Sequence, residues 1–228
     1  MSVTIRLTEN EEWVDFNVPT AWEDMTLEYW SDLSTIINTH QSGNKLKKKS
    51  LQEKYSDDDN LDGILSDIDF KDELRLNRDI FCFISGLNKD DMKKVEMNQV
   101  TNVINTIGVL TEEYQPKGIT SFELDGEKYL FPLEFLKNNT FGDYIESTQL
   151  DMTIDSMKNG RYDVLPEQMA ILCRREGEEF DEDLIPDKTK KFKKLKMDTI
   201  YEFAFFLTKQ SVKLRKTFNM YSERNASL

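Results

Sequence analysis

Met92-Lys93-Lys94-Val95-Glu96-Met97-Asn98-Gln99-Val100 lines up without a gap on Phe192-Lys193-Lys194-Leu195-Lys196-Met197-Asp198-Thr199-Ile200, one hundred residues further along the chain. Both copies then continue in a helical pattern. Val100, Val103, Ile104 and Ile107 match Ile200, Phe203, Ala204 and Leu207, and the i, i+3, i+4, i+7 spacing lays each set along one buried stripe. Asn98 and Asp198 stand where an N-cap is expected, since a short side-chain oxygen can satisfy the orphan amides of a first turn.

Working outward, Phe16-x-Val18-Pro19-x-x-Trp22 matches Tyr129-x-Phe131-Pro132-x-x-Phe135, and Thr26-Leu27-x-x-Trp30 matches Thr140-Phe141-x-x-Tyr144 after one residue of slippage. Before each stands a hairpin pattern. Val3, Ile5 and Leu7 alternate with polar residues, a polar turn spans Thr8 to Glu12, and Trp13 to Val18 forms the return strand. Phe122 to Tyr129 is the stronger signal, because Asp125-Gly126 suits the positive φ angles of a type I′ turn. After each hairpin a threonine opens a helix, burying Leu27, Trp30, Leu33 and Ile37 in the first case and Phe141, Tyr144 and Ile145 in the second. Thr140-x-x-Asp143 has the shape of a capping box. Apolar helical segments follow at about Asp79 to Gly86 and Pro166 to Arg174.

The fold class expected is therefore α+β, mostly helical, built as two tandem repeats of a β-hairpin plus about three helices. Residues 1–114 form the first repeat, with an acidic insertion at about 41–75. Residues 119–212 form the second, with a longer loop from Glu176 to Lys191. The turn-type linker Gln115-Pro116-Lys117-Gly118 separates them, and 213–228 is a polar C-terminal tail that frays. Two similar helix caps on unrelated amphipathic helices are the competing explanation.

At 228 residues the chain can bury roughly 70% of its unfolded surface without disulfides or metals. Cys82 and Cys173 sit in apolar segments and read as small buried hydrophobes in a reducing cytosol. The opening Met-Ser-Val reads as neither a signal nor a transit peptide, and Phe203 to Leu207 is too short to span a bilayer. A net charge of −13 argues against nucleic-acid binding, which needs a basic surface.

Asp58-Asp59-Asn60-Leu61-Asp62-Gly63-Ile64-Leu65-Ser66-Asp67-Ile68-Asp69 resembles an EF-hand or dockerin-type calcium loop. Asp58, Asn60 and Asp62 fall at positions 1, 3 and 5, Gly63 at 6, and Asp69 at 12, with the Ile64 carbonyl at 7 as a further ligand. A shorter Asp where the pattern has Glu, and the absence of a paired loop, leave a solvated acidic insertion as the alternative. His40, the only histidine, lies in a polar stretch with no orienting carboxylate nearby in sequence and reads as solvent-exposed. The lysine run from Lys188 to Lys196 reads as compensation for the acids of Glu176 to Asp183, or as a phosphate- or partner-binding strip. Trp13, Trp22 and Trp30 read as packing between hairpin and helix. There is no P-loop, Gly-x-Gly-x-x-Gly or Gly-x-Ser-x-Gly pattern.

Val18, Pro19, Trp22, Thr26, Leu27 and Trp30, with their counterparts Phe131, Pro132, Phe135, Thr140, Phe141 and Tyr144, resemble the pattern of small virion structural and assembly proteins of tailed bacteriophages. The nearest likeness is to phages of Bacteroidetes hosts, including the crAss-like group. The resemblance implies a non-enzymatic ring component of the neck or tail conduit, made in the host cytoplasm and retained in the virion. It also implies homo-oligomers, contacts with portal or tail ring subunits, no resident cofactor, and no membrane or sequence-specific nucleic-acid partner. A cytosolic tail-assembly chaperone that leaves before maturation is the alternative.

Overall fold

The α+β, mostly helical class expected from the sequence is the one found in a computed structural model of the chain, which places two small antiparallel sheets among its helices. The residues described are 1–8, 12–55, 60–108, 114–132, 152–156 and 159–225. The chain divides into two units, one made of Met1–Ala21 and Asp32–Glu113, the other of Trp22–Ser31 and Tyr114–Leu228. Trp22–Ser31, read from sequence as part of the first repeat, thus groups with the second unit.

In the first unit β1 (Ser2–Arg6) pairs antiparallel with β2 (Trp13–Asn17), with Val3 opposite Phe16 and Ile5 opposite Val14. The alternation buries Ile5, Leu7 and Phe16, as period two requires when one face of a sheet is covered. Phe16 meets Phe81 edge-on at 6.1 Å. Helix α1 (Leu27–Lys54), whose residues up to Ser31 belong to the second unit, opens where Thr26 Oγ1 accepts the Tyr29 N–H at 3.2 Å. Helix α2 (Leu61–Ser85) ends at Gly86, whose φ of +72° closes the helix with its N–H on the Cys82 carbonyl. The expected insertion at 41–75 is therefore largely regular structure: residues 41–54 extend α1 and residues 61–75 open α2. A short helix, α3 (Lys89–Met92), is capped by the Asn88 side chain, and α4 (Met97–Gly108) follows.

In the second unit β3 (Ser121–Leu124) and β4 (Glu127–Leu130) form the hairpin read from Asp125-Gly126, with φ of +52° and +78° at those two residues. The short strand β5 (Arg174–Arg175) adds to β4 and was not anticipated. Helix α5 (Leu165–Leu172) matches the apolar segment expected there. Residues read as a loop contain α6 (Ile185–Phe192), where Pro186 sits in the first turn, a position at which a missing N–H costs nothing. Helix α7 (Met197–Asn225) continues through most of the expected tail. Phe122, Tyr129, Phe131, Phe192, Phe203 and Phe206 form an aromatic core with centroids 5.0–5.7 Å apart. The second threonine-led helix, with Thr140, Phe141, Asp143, Tyr144 and Ile145, and Phe135 before it, falls outside the described residues.

The one-hundred-residue offset recurs in backbone geometry. Lys94 and Lys194 donate to the Asp91 and Lys191 carbonyls, both at 3.0 Å, and Val95 and Leu195 donate to Met92 and Phe192 at 3.1 and 3.0 Å. Val100 and Ile200 then donate to Glu96 and Lys196 at 3.3 and 3.2 Å. The helices thus begin two residues earlier than expected, at Met97 and Met197, and Asn98 and Asp198 lie inside the first turn rather than at the cap. What each turn leans on differs. Val95 bridges Leu7 at the end of the first hairpin, whereas Lys196 bridges Thr26 ahead of α1. The correspondence is one of turn hydrogen bonds and helix starts; the helices before the turns differ in length, four residues against eight, and the surroundings diverge.

Candidate functional site

The calcium pattern does not fold as a calcium loop. Such a loop must wrap its oxygens around a point, but Asp62, Ile64 and Asp69 lie along α2. Asp62 and Asp69 are seven residues apart, about 10 Å of helix axis. Asp69 is already occupied, by Asn44 at 3.1 Å and Lys48 at 2.6 Å, and these hydrogen bonds hold its carboxyl below the usual range. Asn60 stands just before the helix, making no side-chain cap, and Asp58 lies outside the described residues. Among the described residues no group of three or more His, Cys, Asp or Glu side chains is placed to hold a metal ion. Of the expected ligands Asp58, Asn60, Asp62, Ile64 and Asp69, those described are spread from the start of α2 along its length and are not gathered round one point.

His40 is the largest departure from the sequence reading. It is half-buried, and its Nε2 lies 3.0 Å from Asp79 Oδ2. Arg78 at 2.8 Å and Lys89 at 3.6 Å converge on the other oxygen of Asp79. Burial opposes the charge of Asp79, but the hydrogen bonds from Arg78 and His40 outweigh it and lower its pKa. Cys82 lines the same shallow depression as His40 and Asp79. Burial first, and the Asp79 charge second, push its thiol up, so the group is held as thiol rather than nucleophilic thiolate. The cluster is a clasp between α1 and α2. Lys47 to Asp72, at 3.1 and 3.2 Å, is a second clasp further out along the pair.

Glu202, on α7, is only 2% exposed and collects four donors. Its Oε1 accepts from the Tyr114 hydroxyl at 2.9 Å and from the Lys117 N–H, and its Oε2 from the N–H groups of Gly118 at 2.8 Å and Ile119 at 3.2 Å. Burial raises the pKa of such a group, but the amide of Lys117 and the Tyr114 hydroxyl more than offset it, and the carboxyl titrates below its ordinary value. The linker Gln115 to Gly118 is thereby pinned to α7. Gly118 adopts φ of +76°, which turns successive amides toward one carboxylate in the manner of an anion nest.

The lysine run divides along its length. Lys188, nearly buried, pairs with Glu178. Lys191 reaches Glu127 at 3.1 Å and Arg175 reaches the same carboxylate at 2.7 Å. Those bonds, with the Tyr129 hydroxyl as the leading contributor, lower Glu127 to about 2. Phe192 and Leu195 are core residues. The compensating reading therefore describes Lys188, whereas Lys191 pairs with Glu127, outside the acids of Glu176 to Asp183. Trp22 and Trp30 pack edge-on at 5.2 Å, and Trp22 meets Tyr201 at 4.7 Å. Trp13 instead is 63% exposed, under the Arg6 guanidinium at 5.9 Å. Cys173 is fully buried as expected, and burial pushes its thiol up. No helix among the described residues is long and apolar enough to cross a membrane.

These polar clusters fasten one element to the next. Large apolar side chains also stand exposed on regular elements, among them Leu46 on α1, Phe70 and Leu74 on α2, Met97 on α4 and Phe205 on α7. No family profile, curated protein or solved structure matches the chain.

Proposed function

We propose that the protein is a non-enzymatic structural component of a tailed phage particle, assembling as a ring in the neck or tail conduit. One observation carries the assembly part of this reading. The clustered ionisable groups, Asp79, Asp72, Glu202, Glu178 and Glu127, are engaged in clasps between elements, whereas large apolar side chains stand exposed on helices. Chemistry needs polar groups free to meet a substrate. Assembly needs apolar contact area rimmed by charge. The phage setting rests on the resemblance carried by Val18, Pro19, Trp22, Thr26, Leu27 and Trp30. A net charge of −13 suits a conduit wall, because like charge opposes the adsorption of passing DNA.

The exposed Trp13 and Phe180 favour a second reading, a tail-assembly chaperone that holds another protein's apolar segment and then departs. Quantitative mass spectrometry of purified particles separates the two. A band at fixed stoichiometry to the other particle proteins is expected for the ring component. Presence in infected lysate with absence from particles would overturn it in favour of the chaperone.

A further inference from the structure

The paired helices α1 and α2 present oppositely charged outer faces, each with an apolar centre. Their inner faces are defined by His40, Asn44, Lys47 and Lys48 against Asp79, Asp69 and Asp72. At about 100° per residue, Leu46 lies on the far side of α1 from Asn44, and Phe70 and Leu74 lie on the far side of α2 from Asp72. Their exposures agree: 71% for Leu46, 62% for Phe70 and 37% for Leu74. Lys45 and Lys49 stand beside Leu46, both exposed, with Lys49 4.0 Å from Glu53. Asp67 and Glu73 flank Phe70, both exposed. Apart from Lys47, Lys48, Asp69 and Asp72, which pair across the inner faces, Lys45, Lys49 and Lys54 stand against Glu53 from Lys45 to Lys54, and Asp62, Asp67 and Glu73 against Lys71 from Asp62 to Glu73.

We propose that a second copy of this chain covers these faces, the acidic outer face of α2 on one copy docking on the basic outer face of α1 on the next. Phe70 and Leu74 then pack against Leu46, and Asp67 and Glu73 face Lys45 and Lys49. The apolar side chains supply contact area, while the charges set partner choice and register. Since the two faces belong to different helices, the contact is head-to-tail. Every added copy leaves one face of each kind free, so assembly continues until a ring closes or a filament extends. Closure into a ring rests on the function proposed above; the contact itself does not.

Charge exchange tests this on the full-length chain, by sedimentation velocity over a range of concentrations, with circular dichroism confirming that each variant is folded. Wild type is expected to associate, with affinity falling at least about tenfold as screening shortens the reach of the charges between low and high salt. Lys45→Glu with Lys49→Glu makes both faces acidic, and Asp67→Lys with Glu73→Lys makes both basic. Each double variant alone is expected to sediment as monomer, and an equimolar mixture of the two to recover assembly. Folded double variants that assemble on their own as wild type does would overturn the contact and leave the ring reading standing. So would folded monomeric variants that fail to recover on mixing, in that case rejecting the charge pairing. A wild-type chain that is monomeric at every concentration would overturn both.

Discussion

Glu202 shows how one side chain can organise a segment that sequence reading treats as a passive linker. Three backbone N–H groups, at Lys117, Gly118 and Ile119, and the Tyr114 hydroxyl end on its carboxylate. Hydrogen bonds to a charged acceptor contribute roughly 1.5–3 kcal/mol each, and orphaned buried donors cost a comparable amount. Glu202→Gln keeps the shape, but replaces one acceptor by an NH2 group facing donors. It should destabilise the protein by about 2 kcal/mol, a fall of roughly 4–8 °C in thermal midpoint for a chain of this size. The pH dependence has a fixed sign. A carboxyl whose pKa is depressed on folding contributes stability that is present above its unfolded value, 4.5, and lost as pH falls toward the folded one. The gap between wild type and Glu202→Gln should therefore be full at pH 6 and narrow below pH 4.5, as read by thermal melts across that range. A gap that widens on acidification would contradict the assignment.

At the scale of elements, the two helix starts matched in sequence bury Val100 in one unit and Ile200 in the other, at 2% and 1% exposure. Each lies one turn into its helix and donates to the residue ahead of the first turn. Ile200→Ala should cost ~2–5 kcal/mol and Val100→Ala somewhat less, the difference reflecting the extra methylene removed. Denaturant titration of the two variants checks this, and a negligible cost at either position would mean that its stripe is not core. Elements were legible where their cause is local. Asp125-Gly126 announces its turn because both residues must take positive φ, and Val3, Ile5 and Leu7 announce a strand by alternation alone. Elements whose cause is distant were not. The outer halves of α1 and α2 read as an acidic insertion because their polar faces are satisfied across the helix pair, Lys47 by Asp72 and Lys48 by Asp69. A calcium-like spacing on one segment shows none of those partners. His40 and Asp79 are 39 residues apart, and Glu202 lies more than 80 from the amides it binds, so neither cluster had a sequence signature.

At the scale of the whole molecule, the chain spends its buried charge on internal fastening and leaves some large apolar side chains exposed, among them Leu46, Phe70 and Leu74, beside charges of opposite sign on two helices. That distribution suits a subunit more than a monomer, and in a ring the acidic excess would face either solvent or the lumen. Closure of copies of the chain into a ring, as proposed, is tested most directly by negative-stain electron microscopy of the species isolated from a gradient at low salt. Annular particles of one diameter, with class averages that carry rotational symmetry, are expected. A single population of globular monomers at the highest concentration attainable would contradict closure.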